Sequence, residues 1–129
     1  MKIYTGYFAK LKSYEGNCLH PFSVALYPPQ FFKKAGYQTY HILTPSRELF
    51  SKFKNNEISV EKYIEIYCKE NLENLDVDSV VKFLSGHSYH NRDVILLCFE
   101  KPTFFCHREL IRIWFNQNGV ECKEYELHN

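Results

Sequence analysis

Hydrophobic residues change their spacing along the chain, and each change predicts an element. Residues 93–99, DVILLCF, are apolar without alternation from Val94 to Phe99, the pattern of a strand covered on both faces and central in a parallel sheet. Elsewhere the spacing is three to four. Val60, Tyr63, Ile64, Tyr67 and Cys68 predict a helix over 60–74, and Val77, Val80, Val81 and Leu84 one that opens after Asp76 and closes at Gly86. Leu110, Ile111, Trp114 and Phe115 form the stripe of a helix over 106–118, with Gly119 just past its end. Ser46, following Pro45, caps a further helix of about 46–54, and Ser59 caps the one over 60–74.

Shorter patterns fill in the rest. Residues 2–7 read as a strand and 8–14 as a short helical segment with Phe8 and Leu11 on one side. A second strand is predicted over 22–27; Pro28-Pro29 ends it at Tyr27, because proline neither donates to a ladder nor continues a helix. The loop that follows is long enough to hold an extra strand near 37–43. Residues 120–127, VECKEYEL, alternate and carry charge, which suits an edge strand. The order β-α-β-ααα-β-α-β predicts one three-layered α/β domain over 1–129, a small, at least partly parallel sheet with helices on both faces.

Composition narrows the partners more than it names them. The chain has 129 residues, close to the commonest size of a single domain, and 11 Phe, 10 Tyr and 1 Trp supply ample core material. Its formal net charge is +1 with the basic residues dispersed, so the electrostatic footprint of a duplex nucleic-acid binder is missing from the sequence. The first residues contain no apolar leader core, and no apolar span reaches the length a membrane helix needs. A soluble, cytoplasmic protein without a membrane partner is expected. Five cysteines without paired short spacings fit reduced thiols rather than a disulfide framework.

The chemistry concentrates in LCFEKPTFFCHREL, residues 97–110. Whether Thr103 or Cys106 caps the last helix, Cys106 falls in its first turn, where backbone amides and the helix dipole favour a thiolate. His107 and Arg108 add positive potential, so the same corner suits an anion, with phosphate the simplest ligand. The cluster lies at the carboxyl end of strand 93–99, the edge at which open α/β sheets bind ligands. Glu100 is there too, as general acid or base beside Cys106 as nucleophile. If the first two strands run parallel to this one, Thr5, Gly6 and Tyr7 and the Tyr27-Pro28-Pro29 corner supply the remaining walls. The plainer reading makes Cys98 a core thiol and Arg108 a structural ion pair. A zinc site combining His87 and His90 with Cys98, Cys106 and His107 can be drawn, but about 25 Å of extended strand separates His90 from Cys98. Neither metal nor cofactor is expected.

LLCFEKPTFFCHRELIRIWF resembles the Cys-x-Glu…Cys-His-Arg signature of the domain of unknown function 488 family. YTGYFAKLKSY, SVALYPPQFF and LTPSRELFSKFKNNEISVEKYIEIY are similar to its short branch, so the resemblance spans nearly the whole chain. It implies an α/β fold, with Glu100, Cys106, His107 and Arg108 as signature positions and Thr5, Gly6 and Tyr7 as a first-strand motif. Leu26 stands where relatives often carry an arginine before Tyr-Pro. The family implies no reaction. The expectation from the site is a small enzyme acting on a phosphate-containing or nucleotide-like ligand, with Glu100 and Cys106 catalytic and His107, Arg108, Thr5, Gly6, Tyr7 and Tyr27 binding. The alternative is a non-catalytic nucleotide-, anion- or protein-binding module that uses the same pocket.

Overall fold

In the computed structural model, which describes residues 1–99 and 105–127, the chain order is β1 (Ile3–Tyr7), α1 (Leu11–Gly16), β2 (His20–Ser23), α2 (Gln30–Lys34), α3 (Arg47–Lys54), α4 (Val60–Tyr67), α5 (Val77–His87), β3 (Val94–Cys98), α6 (His107–Gln117) and β4 (Cys122–Glu124). The four strands form one sheet in the order β2-β3-β1-β4, and every pairing is parallel. All five residues of β3 are buried, so both faces of the sheet are covered at its centre, as the unbroken apolar run requires. The fold is α/β.

Parallel pairing sets the strand ends in register. Tyr7 lies opposite Cys98, and Ser23 lies opposite Leu97, so β1, β2 and β3 finish at one edge. The convergence expected of the first, second and central strands is therefore present.

β2 differs from the predicted 22–27 segment. It starts at His20 and stops at Ser23, because the Ser23 hydroxyl accepts from the Ala25 amide and donates to the Ala25 carbonyl, both at 3.1 Å, turning the chain before Tyr27. Pro21 is tolerated because β2 is an edge strand, paired along its length only with β3. The extra strand near 37–43 reduces to a single bridge between Ser23 and Thr39. A helix not anticipated from the sequence, α2, follows Pro29.

The other elements largely follow their local signals. Ser46, Ser59 and Asp76 each accept a backbone N–H of the first turn at 3.1 Å, of Leu49, Lys62 and Ser79 respectively. α4 passes into a π-type turn over Cys68–Leu72, closed by the Glu73 amide on the Cys68 carbonyl at 2.8 Å. α5 runs past Gly86 to His87, whose ring stacks on Phe83 and bonds to the Phe83 carbonyl, holding the final turn. Gly119 has φ +80°, as a residue just past a helix end should. β4 is shorter than 120–127, because the Asn116 side chain holds both the amide and the carbonyl of Cys122 and keeps the preceding residues in the turn. Among the described residues no helix is long and apolar enough to cross a membrane.

Candidate functional site

Two clusters form where the last helix meets the sheet edge, and they have different chemistry. The first is built on Cys106, the N-cap of α6, with extended φ −151° and ψ 147°. Of the two caps the sequence allowed, this one is present; Thr103, like Glu100, lies outside the described residues. His107 follows as the first helical residue and is buried, 6% exposed.

The orientation of the His107 ring is set by Val24. Nε2 lies 2.5 Å from the Val24 carbonyl oxygen. A carbonyl only accepts, so Nε2 carries the proton and Nδ1 is turned the other way. There it meets two sulfurs, Cys98 Sγ and Cys106 Sγ, each at 3.8 Å. Tyr67, fully buried and bonded through its hydroxyl to the Leu43 carbonyl at 2.7 Å, packs its ring against the imidazole with centroids 5.4 Å apart.

Cys98, expected from its apolar neighbours to be a core thiol, is buried as expected, yet it has polar company. It is the last residue of β3, so its side chain reaches the edge of the sheet rather than a packed interior. The two thiols act as a pair. The hydrogen bond from Cys98 lowers the Cys106 pKa against the opposing effect of burial, with further help from His107. The same bond, together with burial, pushes the Cys98 thiol well up. One negative charge is thus shared unequally, and it rests on the sulfur at the helix opening.

Cys98, Cys106 and His107 line one wall of a cavity of about 550 Å³. Its other described walls are Ala25, Leu26 and Tyr27 after β2, Phe50, Phe53 and Lys54 on α3, Tyr63 on α4, and Pro45, Asn56, Phe99 and Phe105. Aromatic rings dominate, and they brace one another: Phe53 against Tyr63 at 4.7 Å, Phe105 against Tyr63 at 5.5 Å, and Tyr27 against Phe50 at 5.4 Å. The volume is that of a small-molecule site, and the lining is mainly apolar with a few polar groups, as such sites usually are. Tyr27 is half exposed at the rim. Leu26 gives this wall a hydrocarbon surface.

The second cluster holds the other predicted residues. Arg108 is 3% exposed and its Nε lies 3.1 Å from Glu124 Oε1 on β4. Thr5 Oγ1 donates to the same carboxylate oxygen at 2.7 Å, and the Tyr7 ring lies 5.9 Å from the Arg108 guanidinium carbon. Burial opposes the guanidinium charge, but the Glu124 carboxylate and the Cys106 thiolate outweigh it and raise the Arg108 pKa. Gly6 is in this cluster for space. A Cβ there would stand 2.6 Å from the Tyr14 hydroxyl, which accepts the Tyr7 amide at 3.2 Å. Thr5, Gly6, Tyr7 and Arg108 are therefore gathered together, but none lines the cavity. The structure brings only Tyr27, Cys106 and His107 of the described predicted residues to it.

Sequence reasoning missed Cys98, Glu124 and the aromatic walls from α3 and α4. The position of Cys98 two residues before Glu100, at a strand end, was the one available signal. Glu124 gave none, because an acidic residue on an alternating edge strand is ordinary. Phe50 and Phe53 were hidden by their place in a short amphipathic helix.

A family model described as the active DUF488-N3 subclade, DUF488-N3a, matches residues 13–119. No curated protein and no solved structure matches the chain.

Proposed function

The chain belongs to the DUF488 family, and on that premise we propose that it is a small enzyme whose Cys106 thiolate attacks a nucleotide-like ligand, the planar ring of which lies among the aromatic walls of the cavity. One observation carries the reading: Cys106 Sγ opens onto the cavity with Cys98 Sγ and His107 Nδ1 beside it. The lowered pKa of Cys106 leaves its sulfur as the thiolate, so the attack needs no prior proton transfer. The sulfur then forms a bond to an electrophilic carbon of the ligand, whose leaving group departs with the bonding electron pair. The family description, which counts the subclade as active, agrees with turnover rather than binding alone.

The cavity favours the ring of such a ligand over its phosphate. Stacking on aromatic side chains contributes about 1–3 kcal/mol per base. Lys54 at the wall offers the cation for an anionic tail. Cytoplasmic placement, as read from the sequence, would keep the thiols reduced.

A thermal-shift screen of nucleotides and phosphate metabolites tests the ligand class, because a ligand at 100 times its dissociation constant adds about 2.7 kcal/mol. Compounds that stabilise the fold are then incubated with wild type and with Cys106→Ser and followed by mass. Conversion by wild type alone supports the enzyme. A stabilising compound that is never converted supports a binding module instead. No stabilising compound in the panel overturns the ligand class.

A further inference from the structure

We propose that Cys98, Cys106 and His107 bind one soft divalent ion, Zn²⁺ in the first instance, through Sγ, Sγ and Nδ1, with the fourth coordination position turned toward the cavity. The three ligand atoms lie within 4.8 Å of one another and are the single such grouping of at least three His, Cys, Asp or Glu side chains among the described residues. An ion about 2.3 Å from sulfur and 2.0–2.1 Å from nitrogen in tetrahedral geometry sets S and N about 3.6 Å apart. Both S···N distances here are 3.8 Å. The S···N pairs need close by only a few tenths of an ångström, and the two sulfurs, within 4.8 Å of each other, come to about 3.8 Å around a tetrahedral ion.

The surroundings match as well as the spacing. A metal-bound histidine usually donates its other ring N–H to a carboxylate or a backbone carbonyl, which fixes the ring and the tautomer. Val24 already does this for His107. The ring cannot swing away, since Tyr67 closes one side of it. Charge also balances: two thiolates and a neutral imidazole meet a doubly positive ion. The cavity gives the ion a way in and leaves room for a water as fourth ligand.

The site of the proposed nucleophile thus acquires a second state. With the ion bound, the Cys106 sulfur is committed to the metal and cannot attack a carbon, so zinc occupancy silences the thiolate and removal of zinc restores it. The geometry for the ion does not depend on the catalytic reading, and each can fail alone.

Co²⁺ titration of the reduced, chelator-treated chain tests the inference. The expected result is saturation at one equivalent, with a thiolate-to-cobalt charge-transfer band and the intense visible bands of tetrahedral cobalt, both displaced by Zn²⁺. Cys98→Ser and Cys106→Ser should each halve the charge-transfer band. Each should also weaken Zn²⁺ binding by more than the roughly 10–100-fold that losing an outer hydrogen-bond partner costs. In wild type, one equivalent of Zn²⁺ should protect Cys106 from iodoacetamide, a reading that needs no variant to fold. Absence of the charge-transfer band in wild type, or a band unchanged in both variants, overturns the site. Ligand conversion that proceeds equally with and without one equivalent of bound Zn²⁺ overturns the silencing. Cobalt binding without any ligand conversion instead removes the enzyme and leaves the metal site standing.

Discussion

His107 and Val24, 83 residues apart in sequence, meet through a hydrogen bond of 2.5 Å from the imidazole Nε2 to the backbone carbonyl. That contact ties the start of α6 to the chain leaving β2 and aims Nδ1 at both sulfurs. His107→Ala removes it and leaves a buried carbonyl unpaired, which should cost about 1–3 kcal/mol. Urea denaturation of the metal-free chain measures the loss. A variant as stable as wild type would mean that the contact does not hold the ring.

The thiol pair predicts an unusual pH dependence of reactivity. Folding lowers the Cys106 pKa and raises that of Cys98. In reduced, chelator-treated protein, alkylation of Cys106 followed by peptide mass spectrometry should therefore have its midpoint below about 8.5, the free-thiol value. Cys98→Ala removes the largest stabilising partner and should move the midpoint upward. The stability linked to the lowered pKa is complete above the unfolded thiol value and is lost as pH falls through the lowered one. The proton retained by Cys98 acts oppositely, and its contribution falls away as pH climbs toward its raised value. A midpoint at the free-thiol value, unmoved in Cys98→Ala, would refute the shared charge.

Arg108 gives a test of its role. Its guanidinium is buried against Glu124, which also holds Thr5. Glu124→Gln keeps the shape, removes the charge, and should destabilise the fold by about 1–3 kcal/mol. Cys106 alkylation at fixed pH should change by less than about threefold, because neither residue lines the cavity. Unchanged stability with loss of ligand binding would assign the pair to recognition instead.

Gly6 should tolerate no side chain. A Cβ would lie 2.6 Å from Tyr14 Oη and 2.7 Å from Ile95 Cδ1, both on buried side chains. Gly6→Ala should therefore cost about 1–3 kcal/mol, the usual range for an overpacked core. Thermal melting reads it, and a melting point equal to that of wild type would show that Tyr14 moves aside at no cost.

Local sequence determined most of the elements. The unbroken run from Val94 placed the central strand, Ser46, Ser59 and Asp76 placed three helix starts, and the Ile111–Trp114–Phe115 stripe oriented α6. These signals are legible because each acts within a few residues, through a cap, a repeat of side-chain positions or a run that fills both faces of a sheet. Local signals also put Cys106 at a helix opening beside a strand end. What they could not give is which side chains share that corner. Cys98 has the neighbours of a core residue, and only parallel packing and the termination of β3 at Cys98 bring its sulfur to His107. Arg108 looked like part of the same anion site, but the return of β4 alongside β1 supplied Glu124 and drew the guanidinium away from the cavity. The aromatic walls arrive from helices about 50 residues earlier in the chain. Contacts between residues so far apart depend on how elements cross, and no spacing within one element encodes that.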